Sequence, residues 1–285
     1  MIRIFADAEA LSEAAAALFV RAAQRAVRNT GRFVVALSGG QTPRRTYKRL
    51  ACPECRDAVP WEAVHVFWGD ERCVPFEDPR RNARMAHEAL LRHVPIPAHQ
   101  VHPIPCEGDP ETAAVRYEAL LRSSFREAPP RFDLVFLGLG EDGHTASLFP
   151  SHPAVTEPRR WVAAVPEADP PRVTLTLPIL NQARRVVFLV TGARKAEILR
   201  AVWEGPFDPL RWPAQGSARA PGGSCGWWTP KRQPGFPGSG DDRLTSSWGL
   251  PGCRGHRRYL PCGPLGKELS GFPELKLNGA NPDGA

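Results

Sequence analysis

The chain has 285 residues, of which 42% are hydrophobic, and a formal charge of +7. That length accommodates one large or two small domains, and the apolar fraction is enough for a substantial core. No apolar run reaches the ~18 residues that a membrane span needs, and the N-terminus lacks a signal peptide's charged start and apolar centre, so no membrane is expected and the cytoplasm is. From Gln215 onward nine Lys or Arg stand against five Asp or Glu, which leaves 28 against 25 in the first 214 residues. The body is close to neutral, and no nucleic-acid partner is expected.

The chain opens with a short strand, Ile2 to Phe5, and an alanine-rich helix from Asp7 to Asn29, with Asp7 as N-cap and Gly31 just past the end. The run Phe33-Val34-Val35-Ala36-Leu37 reads as a buried strand. It leads into Ser38-Gly39-Gly40-Gln41-Thr42-Pro43, where Thr42 as N-cap and Pro43 at the first helical position start a helix to Leu50. Strand, glycine loop and helix start make an anion cradle of backbone N–H groups with the hydroxyls of Ser38 and Thr42. Cys52 and Cys55 have C-x-x-C spacing, but a zinc site needs a second pair; Cys73 and Cys106 stand alone, and no metal is expected. Seven cysteines, an odd number, fit a reduced compartment better than a disulfide framework.

A third strand, Val64 to Gly69, ends in Asp70-Glu71-Arg72, three charges just past a strand's carboxyl end, where ligands bind in open α/β sheets. His65, inside that strand, reads as a packed residue. A helix follows from Asn82 to Leu91. Val101 to Ile104 reads as a short strand, and Thr112 to Arg126 as a helix whose Val115, Leu120 and Leu121 face the sheet.

Phe132 to Leu137 is a strand buried on both faces, and it breaks into Gly138-Leu139-Gly140-Glu141-Asp142-Gly143-His144. Gly138, Gly140 and Gly143 are placed where positive φ or close approach is needed. The spacing G-x-G-x-x-G resembles a dinucleotide fingerprint, but Pro150 and Pro153 leave no room for the required helix, and Glu141 and Asp142 would repel a pyrophosphate. What the turn delivers to the sheet edge is a histidine among carboxylates and hydroxyls, a catalytic arrangement. Trp161 to Val165, Val173 to Leu177 and Val186 to Val190 are three further strands. The last ends in a glycine turn that brings Lys195 to the same edge before a helix to about Trp203. Alternating strands and helices predict an α/β fold, a Rossmann-like three-layer sandwich with a mostly parallel sheet.

The blocks VALSGGQTP, WGDERCVPF, FDLVFLGLGEDGHTASLFP, RVTLTLPILN and VTGARKA, in this order over about Ile2 to Gln215, resemble the successive signatures of the 6-phosphogluconolactonases. The resemblance implies a fold shared with glucosamine-6-phosphate and ribose-5-phosphate isomerases. It also implies metal-independent hydrolysis, with no cofactor, of a small sugar-phosphate lactone, the product of glucose-6-phosphate dehydrogenase. On that basis His144 is the general base, and Arg72 holds the lactone carbonyl or product carboxylate. Asp70 or Asp142 orients them. Ser38, Gly39, Gly40, Thr42 and Lys195 match the phosphate-side positions, with Arg81 as a further member. The isomerase alternative expects a motif resembling H-I-A-F-N-E-P, whose glutamate is missing from Thr145-Ala146-Ser147-Leu148-Phe149-Pro150. An inactive sugar-phosphate sensor would be expected to lack His144 or Arg72, and both are present. Monomer and homodimer are equally compatible with the sequence.

From Gln215 onward the composition changes abruptly: 24 of 71 positions are Gly or Pro, and no period survives. The resemblance implies one more strand and a short helix there. A catalytic domain over 1–215 and an irregular, low-order tail over 216–285, from a frameshift or an alternative 3′ exon, are expected instead, with the final strand missing.

Overall fold

The computed structural model describes residues 2–125, 131–218 and 224–229. Its elements in order are β1 (Ile2–Ile4), α1 (Ala8–Thr30), β2 (Phe33–Leu37), α2 (Gln41–Leu50), α3 (Pro53–Arg56), β3 (Val64–Trp68), β4 (Asp70–Arg72), α4 (Asn82–Ala89) and α5 (Pro110–Ser124). Then follow β5 (Leu134–Leu137), β6 (Val162–Val165), β7 (Arg172–Leu175), α6 (Leu177–Leu180), β8 (Val186–Thr191), α7 (Ala196–Glu204), α8 (Ala214–Ala218) and β9 (Ser224–Thr229). Among these, no helix is long and apolar enough to cross a membrane.

The α/β expectation holds, with two sheets. Six parallel strands lie in the order β1-β9-β8-β5-β2-β3, while β4, β7 and β6 form a separate antiparallel sheet. Every residue of β2 and β5 is buried, the pattern of strands covered on both faces. Helix α1 has the expected caps: the Asp7 carboxylate accepts from the Ala10 N–H at 2.8 Å, and Gly31 closes the helix at φ 74°. Phe19 of α1 meets Phe33 edge-on at 5.2 Å and lies 6.4 Å from Phe136, which locks helix to sheet.

Several expectations are corrected. Helix α2 starts one residue before Thr42, with Gly40 as its N-cap at φ 103°, a conformation an L-residue resists. Leu121 is buried as expected and Leu120 is partly buried against the core, but Val115 is 60% exposed, and α5 buries Ala113, Ala114 and Tyr117 in its place. The reason is Tyr117, whose hydroxyl donates to the Trp68 carbonyl at 3.0 Å and accepts from the Trp68 N–H at 2.9 Å, fixing the helix rotation. The residues around Val101 make a single bridge to Val66 rather than a strand. Cys73 and Cys106 do not stand alone but form a disulfide.

The described elements also run past Gln215. Helix α8 straddles that boundary, and β9 lies between β8 and β1, pairing in parallel with all six residues of β8. The final strand is therefore present. The rest of the tail expected to be of low order over 216–285, residues 219–223 and 230–285, lies outside the described residues.

His65 packs as expected, its ring stacked on His102 at 5.6 Å, and His102 stacks in turn on Phe67 at 4.4 Å. Burial, then the neighbouring His65, pushes the His102 imidazole down to about 4. A histidine with a depressed folded value favours folding above its ordinary range, and that contribution is lost as pH falls through the folded value. The His102→Gln variant is therefore expected to lose less stability than the wild-type chain between pH 6.5 and 4, as read from urea midpoints.

Candidate active site

The carboxyl ends of β2, β5 and β8 and the β4/β7 edge enclose a cavity of about 290 Å³ lined by Ser38, Thr42, Arg72, His144, Arg172 and Lys195, among others. The glycine loop forms its floor. Tyr47 donates its hydroxyl hydrogen to the Ser38 carbonyl at 2.9 Å and accepts from the Ser38 N–H at 3.0 Å, so the loop leaves β2 in one fixed direction. Ser38 Oγ is buried without a partner in the protein, and the first turn of α2 has no acidic residue. Both features favour an anion at this helix start. Thr42 bonds across to Thr191 at 2.8 Å, which ties the loop after β2 to the loop after β8.

The charged wall is built around Glu71. Its carboxylate is fully buried and accepts the backbone N–H groups of Arg72, Asn82 and Ala83 at 2.7 to 2.8 Å. Burial raises this carboxyl to about 7, against the pull of those three N–H groups and of Arg81. Held this way, Asn82 accepts from Arg72 Nη1 through Oδ1 and donates Nδ2 to the Asp70 carbonyl at 2.9 Å. Asp70 accepts from Ser147 Oγ at 2.6 Å, which ties it to the histidine turn, while the His144 ring bonds to Asp142.

His144 is oriented by Asp142. The carboxylate accepts from Nδ1 at 2.6 Å and from the His144 backbone N–H at 3.1 Å. Burial alone would raise the Asp142 carboxyl, but these hydrogen bonds and the imidazole's charge outweigh it and hold it below the usual range. An ionised Asp142 keeps the proton on Nδ1 and leaves the Nε2 lone pair available. Of the three glycines in this turn only Gly143 needs positive φ, at 83°. At Gly140 a Cβ would collide with the His144 imidazole and the Asp142 carboxylate, so that glycine serves close approach.

Two cations complete the cavity. Lys195 has its Nζ 4.0 Å from Glu141, and burial draws its ammonium below the usual lysine range. Arg172, which the sequence reading missed, sits opposite Arg72 in the β4/β7 register. It stands at the start of β7, the end of a strand that the parallel-sheet rule excludes. Because β7 runs antiparallel to β4, that start reaches the site. Phe149, also missed, has its ring 4.8 Å from the His144 ring and 5.5 Å from the Arg172 guanidinium. Arg81 does not join the phosphate side. It is 3% exposed, with its Nη groups donating to the carbonyls of Val74, Ile104 and Cys106 and its Nε 3.6 Å from Glu71.

An oriented imidazole, paired guanidiniums and an anion cradle in one Rossmann-like cavity define an enzyme that acts on phosphorylated sugars. The family model described as glucosamine-6-phosphate isomerases/6-phosphogluconolactonase matches residues 6–227, past Gln215 and into β9, and the chain belongs to that family. A 6-phosphogluconolactonase of Synechocystis is 47% identical over 67% of this chain and 80% of its own length. That of Mycobacterium tuberculosis is 41% identical over 76% and 90%. The crystal structure of the Thermotoga maritima 6-phosphogluconolactonase superposes with a TM-score of 0.69 at 30% identity, covering 81% of this chain and 99% of that one.

The Glu71→Gln substitution would turn an amide donor toward N–H groups and leave one unpaired, a loss of ~1 to 3 kcal/mol. A carboxyl raised in the folded state stabilises most below its ordinary range and loses that contribution as pH rises through about 7. The wild-type advantage in chemical denaturation is therefore expected to be widest near pH 4.5 and to narrow by pH 8.

Proposed function

We propose that this chain hydrolyses 6-phospho-D-glucono-1,5-lactone to 6-phosphogluconate in the cytoplasm, acting on a free small molecule rather than on nucleic acid or a membrane surface. The observation that carries this reading is the 2.6 Å pairing of His144 Nδ1 with Asp142, in the cavity that also holds Arg72 and Arg172. His144 Nε2 takes a proton from water as the oxygen attacks the lactone carbonyl carbon. The negative charge that forms on the carbonyl oxygen is met by the guanidinium pair, which stays in place whether or not that charge is present. As the tetrahedral intermediate collapses, the ring C–O bond breaks, and the imidazolium returns its proton to the departing alkoxide.

The phosphate, remote from the reacting carbon, is held by the N–H groups of the glycine loop, Ser38, Thr42 and Lys195. Binding at that distance orients the ring against His144. The segment Thr145 to Pro150 places no carboxylate near the imidazole, which supports lactone hydrolysis over ring-opening isomerisation.

Loss of the lactone, followed by coupling to oxidation of 6-phosphogluconate, tests the assignment. Turnover of glucosamine-6-phosphate with none of the lactone would overturn it. The His144→Ala variant is expected to lose ~10²-fold or more in kcat, with 6-phosphogluconate binding largely retained. Lys195→Ala and Thr42→Ala should mainly raise KM, and an unchanged KM in steady-state assays would remove the residue concerned from the phosphate site.

A further inference from the structure

A second cavity of about 550 Å³ opens beside the reaction cavity and shares Gly40, Gln41, Arg72, Asn82 and Arg172 with it. Beyond that shared rim it is walled by Arg44 of α2, by Arg80 and Arg84 at the start of α4, and by Glu88 and Asp169. Two of these cations are neutralised within the protein, Arg84 by Glu88 at 2.8 Å and Arg80 by Asp78 at 2.7 Å. Arg44 and Arg172 make no salt bridge among the described residues; the carboxylates that act on them, Glu88 on Arg44 and Asp70 and Glu71 on Arg172, do so without direct pairing. The Nε atoms of Arg44, Arg72 and Arg172 are buried without a hydrogen-bond acceptor. Buried N–H donors are almost always paired, so three in one wall call for an acceptor from outside the chain. Burial and the neighbouring Arg72 also draw the Arg172 guanidinium below its ordinary value, which an anion between them would reverse.

We propose that this outer cavity is a second anion site, which binds the phosphate group of a small phosphorylated metabolite through Arg44 together with the shared arginines. The reaction cavity already has its own phosphate donors in the glycine loop, Thr42 and Lys195, so the outer arginines serve another group. Phosphate fits better than carboxylate because more than one guanidinium without a salt bridge faces the space, and a dianion with three terminal oxygens can accept from two planar forks at once. Arg44 distinguishes the site: it lines the outer cavity and not the inner one.

Calorimetric titration of the full chain with inorganic phosphate tests this and does not depend on turnover, so it stands apart from the lactonase assay. Two phosphates per chain are expected. The Arg44→Gln variant should weaken one of them at least 10-fold and leave the other, Arg44→Lys should recover part of the loss, and Thr42→Ala should affect only the other. A single phosphate per wild-type chain, or two unchanged in Arg44→Gln, would overturn the proposal. So would displacement of the Arg44-dependent phosphate by gluconate, which has a carboxylate and no phosphate.

Discussion

The carboxylate of Glu71 is the constraint on which the active-site wall depends. A fully buried acid is costly unless it is surrounded by donors, and this one gathers three backbone N–H groups and the Arg81 guanidinium. Those donors come from the end of β4 and the start of α4, segments about ten residues apart that would otherwise have no reason to meet. Bringing them together sets Asn82 against Arg72, and it also sets Asn82 against Gly39, where a side chain would have no room. One buried carboxyl thus positions a substrate-facing arginine and packs the phosphate loop. Arg81 closes the arrangement from behind by reaching the carbonyls of Val74, Ile104 and Cys106.

The same economy appears at the ends of the strands. Tyr47 satisfies both backbone groups of Ser38, and Tyr117 does the same for Trp68. In each case a fully buried hydroxyl supplies backbone partners that the ladder does not, past the end of β2 at Ser38 and on the open side of the edge strand β3 at Trp68. Burial pushes both phenols far above their ordinary value, so they remain neutral donors and acceptors. The loops that carry chemistry therefore start from rigid points, and Asp142 needs to orient only one ring.

Much of this was legible in the sequence. The apolar runs at 33–37 and 134–137 became central strands, and the residues just past strands, Ser38, Arg72, His144 and Lys195, share one cavity. Asp142 could be placed beside His144 because the two are two positions apart in a glycine turn. Val115 misled because apolar character alone cannot choose between faces of an alanine-rich helix, where the anchoring hydroxyl of Tyr117 decides. Arg81 misled because nothing local reveals that three carbonyls lie within its reach.

The sequence by itself determined the strand–loop–helix alternation, the glycine turns and the residues they present, since these rest on local periodicity and backbone sterics. Tertiary structure alone decided that β4 and β7 run antiparallel in their own sheet, which brings Arg172 opposite Arg72. It also decided that a glycine- and tryptophan-containing segment with no strand-like alternation becomes β9. There the unpaired edges of β8 and β1 supply the backbone partners, and pairing between segments far apart in the chain leaves no mark on the local pattern of either.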